Sequence, residues 1–437
     1  MGADRSAGTN AGAGGVRAVV TGLGVVAPTG IGVEAYWAAT LAGANGIRRL
    51  TRFDPSSYPS QLAGEVVGYD AAERLPSRLV AQTDRMTQLA LTAGGLAVAD
   101  AGIDPAALPE YGAGVVTAAS GGGVEFGQRE LEALWSKGRQ HVSAYQSFAW
   151  FYAVNTGQLS IRHGLRGPSG VIVTEQAGGL DAVGHARRHL RRSPATDYGR
   201  SPAMGHSQGL SMVFSGGVDA ALSPWGWVAQ LATGLISRGG DPARAYRPFA
   251  ADADGYVPGE GGAILVVESL AAARARGARV YGEIAGYAAT LDPAPGSCSG
   301  SGGEPGLRRC AELALADAGV LPGQVDAVVA DGAGVPSLDE VEAAAIGAIF
   351  GPRGVPVTVP KSGTGRLFSG GAALDLAAAL LSMRDGVLPP TPGVDRPAAP
   401  YQLDLVTRAP RELPVRTVLV LARGYGGFNA AVVVRGM

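Results

Sequence analysis

The stretch Ile172-Val173-Thr174-Glu175-Gln176-Ala177-Gly178-Gly179-Leu180 decides how this chain is read. Apolar β-branched residues end a strand at its left. Small residues open a helix at its right, which the pattern carries over Gly178–Arg191. A buried strand that breaks sharply into a helix is an elbow. It pushes the turn residue out of the sheet and leaves a backbone N–H near a helix N-terminus. Such turns usually carry a nucleophile. The turn position here is Gln176, whose carboxamide cannot attack a carbonyl. On spacing alone, an ordinary strand–helix junction fits equally well.

The same alternation extends to both ends of the chain. Strands are predicted over Val16–Thr21, Gly112–Thr117, Gly170–Thr174, Leu210–Ser215, Ala263–Glu268, Val325–Ala330, Val355–Val359, Thr417–Leu421 and Ala430–Val434. Helices are predicted over Thr87–Ala101, Ala271–Gly277, Gly306–Ala318, Leu338–Ile349 and Ala372–Asp385. Strand–helix–strand order argues an α/β fold with mixed or parallel sheets, and near-continuous apolar strands argue sheets covered on both faces. Two halves repeat one logic, with a seam near Leu270–Val280. The expected division is a flexible arm at 1–15, one half at 16–270 and a second at 271–437. Residues 192–209 (RSPATDYGRSPAMGHSQG) read as a surface insertion, since a tight turn would suffice there.

Composition bounds the function. The 437 residues are too many for one core. Lys+Arg 36 against Asp+Glu 37 makes a chain-wide nucleic-acid surface an unsuitable reading. Charged residues are 17% and hydrophobic residues 46%, which suits a surface partly buried against another subunit. Cys298 and Cys310 cannot form a disulfide framework, and a reducing cytoplasm is expected. Residues 1–15 lack the apolar core of a signal peptide. The longest apolar runs, Gly261–Val267 and Thr417–Leu421, have strand length, so no membrane span is expected. Gly22-Leu23-Gly24 fails as a dinucleotide turn because the rest of its motif is missing.

From Val16 to Val434 the chain resembles the β-ketoacyl synthases of the thiolase superfamily. More closely, it resembles the chain length factors, or ketosynthase beta subunits, of bacterial type II aromatic polyketide synthases. The motifs that carry the resemblance are Val19–Gly30, Ser147–Gly179, Arg247–Glu268, Lys361–Ala373 and Gly424–Ala431. The resemblance implies a duplicated thiolase fold, five-layered αβαβα with mixed sheets. Active members carry a cysteine where this chain has Gln176. It also implies two histidines, and those positions hold Asp331 and Arg366. Condensation needs the thiolate to take the acyl chain and the imidazoles to assist decarboxylation. None of His141, His163, His185, His189 or His206 lies in these motifs.

Several scaffold residues match. Lys361 stands at the family lysine and Asp375 where active members have a glutamate, so a structural Lys361–Asp375 pair is expected. Asp331 and Arg366 are expected to pair in the vacated pocket. Gly424 and Tyr425, with the elbow N–H of Gln176, match the turn that forms an oxyanion hole and could contact a thioester. Those glycines could equally serve close backbone packing. Ala250 and Phe428 depart from the family pattern, and Phe428 suits a plug in a disused pocket.

The resemblance further implies a heterodimer with a cysteine-bearing ketosynthase and cooperation with an acyl carrier protein. The carrier's phosphopantetheine arm would reach the partner; no cofactor or metal is expected on this chain. Product length would be set at a gate in Gly121–Trp135, where helical spacing puts Val124, Gly127 and Leu131 on one face. These are smaller than the residues short-chain members present, which implies a longer tunnel. The segment also reads as an amphipathic helix packing its own core. The run Phe148-Ala149-Trp150-Phe151-Tyr152 suits either a core helix or a dimer interface. The rival function is a malonyl-carrier-protein decarboxylase built on Gln176. A homodimeric condensing enzyme is opposed by the missing thiol.

Overall fold

The structure, a computed structural model, describes residues 15–192, 209–292 and 303–437. Residues 1–14, most of the expected insertion at 192–209, His206 and Cys298 lie outside the described residues.

The first half holds β1 (Ala18–Ala27), α1 (Arg85–Ala101), β2 (Ala113–Ala118), α2 (Val124–Lys137), α3 (Val154–His163), β3 (Ser169–Ile172), α4 (Gly178–Arg192), β4 (Met212–Asp219) and β5 (Gly261–Ser269). The second holds β6 (Gly282–Leu291), α5 (Gly303–Ala318), β7 (Ala327–Val329), α6 (Pro336–Phe350), β8 (Pro356–Thr358), α7 (Ser369–Asp385), β9 (Thr417–Gly424) and β10 (Phe428–Arg435).

The repeat is visible in the strand order. The first half reads β3-β2-β4-β5-β1 from its edge inward, and the second reads β8-β7-β9-β10-β6. Pairing sense repeats as well. The β2–β3 and β2–β4 pairs are parallel, as are β7–β8 and β7–β9. The remaining pairs of each half are antiparallel. A short antiparallel ladder, Val19 to Glu283 and Val20 to Gly282, joins β1 to β6. With two short strands added, Gly30–Ile31 beside β1 and off the main path and Asp404–Leu405 at the far edge, the sheet counts twelve strands.

Helices supply three layers, which with the sheet of each half make five. α1 packs on β1, β5 and β4 at one outer face, and α5 packs on β6 and β10 at the other. α4 and α7 touch each other and strands of both halves, so they form the middle layer. Position dictates composition here. α7 is buried throughout Ser369–Ser382 and, apart from Asp375 and its serines, is apolar on every side, as suits a helix with no solvent face. Each of its buried leucines contributes roughly 1.5–3 kcal/mol against the unfolded chain. The helices cross closely because Gly179 has no side chain; a Cβ there would lie 2.6 Å from the Ala373 nitrogen.

Most predicted elements appear within a few residues of their expected bounds. Several two- and three-residue strands and one long strand, β6, are not among the predicted elements. β6 reads GEIAGYAATL, and its glycines and alanines dilute the β-branched signal that marks the other strands. Among the described residues no helix is long and apolar enough to cross a membrane.

Candidate functional site

The site forms where the C-terminal ends of β3 and β9 face each other beneath the loop after β7. β3 stops at Ile172, one 3₁₀ turn spans Glu175–Ala177, and α4 starts at Gly178. The backbone strain of the elbow falls on Glu175, at φ +51°, not on Gln176. A non-glycine residue in that region costs about 1–2 kcal/mol. Gln176 follows it, buried at 8% exposure.

The Glu175 side chain folds back over this turn. Its Oε2 accepts the backbone N–H of Gln176 at 2.6 Å and that of Tyr425 at 2.8 Å. These are the donors that sequence reading assigned to a thioester carbonyl. That expectation changes: one carboxylate oxygen of this chain already takes both. The approach needs Gly424, where a Cβ would lie 2.5 Å from the Thr174 carbonyl oxygen and 3.3 Å from the Glu175 Cβ. Burial pushes the Glu175 carboxyl up, while the two N–H donors and Arg366 pull against it.

Opposite the elbow, Asp331 and Arg366 occupy the two positions expected for histidines. Arg366 Nη1 donates to Asp331 Oδ2 at 2.9 Å and Nη2 to Oδ1 at 3.1 Å. Arg366 also reaches the Arg423 carbonyl at 3.1 Å. Lys361 Nζ lies 2.6 Å from Asp375 Oδ2 and 3.5 Å from Asp331 Oδ1. All four side chains are buried. Burial raises Asp331, but Arg366 and Lys361 outweigh it and hold the carboxyl down to about 2. Asp375 has Lys361 as its main cation, and burial wins, pushing it up to about 6. The asymmetry follows from two close cations against one.

The remaining space is small. A cavity of about 40 Å³ is lined by Gln176, Tyr256, Asp331, Arg366, Tyr425 and Phe428, among others. It has room for a few waters. Phe428, expected as a plug, is half-buried on its wall. Ala250 is buried in the second-half core. The described histidines lie elsewhere; His163 stacks on Phe214 at 5.9 Å. Cys310 sits on α5, and burial pushes its thiol up to about 12. Among the described residues no cluster of His, Cys, Asp or Glu could hold a metal.

The expected gate residues lie on α2. Gly127 is buried, Val124 half-buried and Leu131 exposed. A Cβ on Gly127 would stand 3.4 Å from Trp225 Cζ3 and 3.5 Å from Trp150 Cβ. Sequence reading missed Trp225, because it is far along the chain and carries no motif. The aromatic run divides between its two readings. Phe148 packs on the core, whereas Trp150, Phe151 and Tyr152 are 47%, 44% and 44% exposed.

Models of two domains match the chain. The β-ketoacyl synthase N-terminal domain covers residues 17–197 and 204–273, and the C-terminal domain covers 281–395. The chain belongs to the β-ketoacyl synthase family. Within that family it is similar to the tetracenomycin polyketide synthase ketoacyl synthase beta subunit of Streptomyces glaucescens. They share 57% identity over 418 residues, 95% of this chain and 98% of the relative. Solved ketosynthases have the same fold. The ishigamide ketosynthase/chain length factor superposes with TM-score 0.86 at 27% identity, covering 97% of this chain and 100% of that one. A type II polyketide synthase acyl-carrier protein in complex with its hexaketide-bound ketosynthase gives 0.82 at 27%, with the same coverage.

Buried acids make the fold pH-sensitive. Burial pushes Asp339 up to about 8, Glu342 and Asp84 up to about 7, and Asp219 up to about 6. These groups keep protons in the folded chain that the unfolded chain has lost, so stability rises as pH falls through that window. His163, lowered by burial to about 4, opposes the trend below its ordinary value near 6.5. The melting temperature should therefore be higher at about pH 6.5 than at about pH 8.5, read by scanning calorimetry in matched salt. Below about pH 4 the stability contributed by ionised Asp331 is lost.

Proposed function

We propose that this chain is the non-condensing subunit of a type II polyketide synthase, a chain length factor that shapes the tunnel of a ketosynthase partner. The observation that carries this reading is the filled centre. An elbow with a carboxamide offers no acyl acceptor. An Arg366–Asp331 pair has neither the proton-transfer range nor the space of two imidazoles. In this reading Lys361 and Asp375 are a structural pair. The repeated strand order supports dividing the chain into halves at 16–270 and 271–437.

The partner is a ketosynthase that carries the cysteine, served by an acyl carrier protein whose phosphopantetheine arm enters the partner's site. Likeness to the named beta subunit and to the ketosynthase assemblies supports this. The surface is also suited to a partner. β3 is a sheet edge, Val173 beside it is 50% exposed, and Trp150, Phe151, Tyr152 and Trp225 stand exposed on the same half. An open edge with exposed aromatics is what a large obligate interface covers.

The decarboxylase rival needs N–H donors free to polarise a malonyl thioester, and Glu175 occupies them. The test is to supply malonyl-carrier protein to the purified chain alone and to the chain with its partner. The alone sample should release no carbon dioxide above the spontaneous rate, and only the pair should make polyketide. Acetyl-carrier protein formed by the chain alone would favour the rival.

A further inference from the structure

We propose that Glu175 is a permanent internal ligand of the oxyanion hole, and that this pocket without it is a binding site for a small carboxylate. The inference rests on the non-condensing reading and adds how the acyl site is kept closed. Oε2 of Glu175 alone accepts both N–H groups, Gln176 at 2.6 Å and Tyr425 at 2.8 Å. That is the placement of a substrate oxygen on a pair of donors, with a side chain of the same polypeptide in the substrate's role.

Three further features support it. Glu175 holds φ +51°, so its backbone is bent into a region that non-glycine residues avoid, as expected where surrounding structure over-determines a turn. Gly424 leaves the gap through which the Glu175 side chain passes. Arg366 lines the same cavity, is 4% exposed, and its Nε has no hydrogen-bond partner among the described residues. Removing the Glu175 carboxylate would thus leave two backbone N–H donors unpaired at the wall of a cavity that the Arg366 guanidinium also lines. Two converging donors that lose their shared acceptor fit a small anion of carboxylate shape, which would restore both charge-assisted bonds. A tethered occupant has a large effective concentration, so a free acyl thioester could not displace it.

The test uses the co-purified complex with its partner. Wild type, Glu175→Ala, Glu175→Gly and Glu175→Gln are melted in acetate and in chloride at equal ionic strength. Glu175→Gly keeps the left-handed turn without strain, so it serves if the alanine variant does not assemble. Glu175→Gln retains an oxygen that can accept both N–H bonds. Acetate should raise the melting temperature of the alanine and glycine variants by about 1–3 °C over chloride and leave wild type and Glu175→Gln unmoved. An equal response in all four, or none in the alanine and glycine variants, overturns the proposal. Failure of the non-condensing reading would appear elsewhere, as acyl uptake or decarboxylation by the wild-type chain alone.

Discussion

Asp331→Ala should destabilise the subunit by about 3–5 kcal/mol, the cost of leaving a buried charge without its partner. Arg366 is buried and makes two side-chain hydrogen bonds to Asp331. It also donates to the carbonyls of Asp331 and Arg423, which carry no charge. Lys361 would keep Asp375 but lose its second anion. The arithmetic is different when both charges go. Exchanging Asp331 and Arg366 together for leucine and methionine removes the desolvation cost along with the attraction, so the double variant should lose less than Asp331→Ala alone. Denaturant titration of the co-purified complex checks both. A double variant less stable than the single would mean the pair supports the fold by more than mutual neutralisation.

Gly127→Phe should shorten the polyketide by one or more ketide units. Gly127 is buried on α2, and its first added carbon already meets Trp225 and Trp150 at 3.4 and 3.5 Å. A benzyl group must therefore fill the space between α2 and those rings, or displace them. Added bulk at a packed wall costs roughly 1–3 kcal/mol, so the complex should still assemble. The readout is product mass from the reconstituted synthase, together with the yield of complex. An unchanged length with an intact complex would remove α2 as the gate. Val124 and Leu131 would fall with it, since their assignment rests on sharing that helix face.

Much of the fold is legible in the sequence. The nine predicted strands are present because parallel and buried strands are written in continuous apolar residues. β6 was not legible, because GEIAGYAATL spreads small residues where the partner strand and α5 supply the bulk. The missing thiol at Gln176 and the two replaced histidines were legible through motif position. Their geometry was not: that Asp331 faces two close cations and Asp375 one depends on where the fold places Arg366 and Lys361. Glu175 was passed over, although it carried a signal. An acid at a buried elbow, between a strand and a run of small residues, has few partners except nearby backbone N–H groups. Its second donor, on Tyr425, lies 250 positions away and could come only from the fold.

On the proposed function, this chain moulds a reaction whose covalent chemistry belongs to its partner. Intact-mass spectrometry of both subunits after loading the complex with acyl-carrier protein tests that most directly. All added acyl mass should appear on the partner ketosynthase and none on this chain. An acyl adduct on this polypeptide would show that it takes part in the covalent chemistry itself.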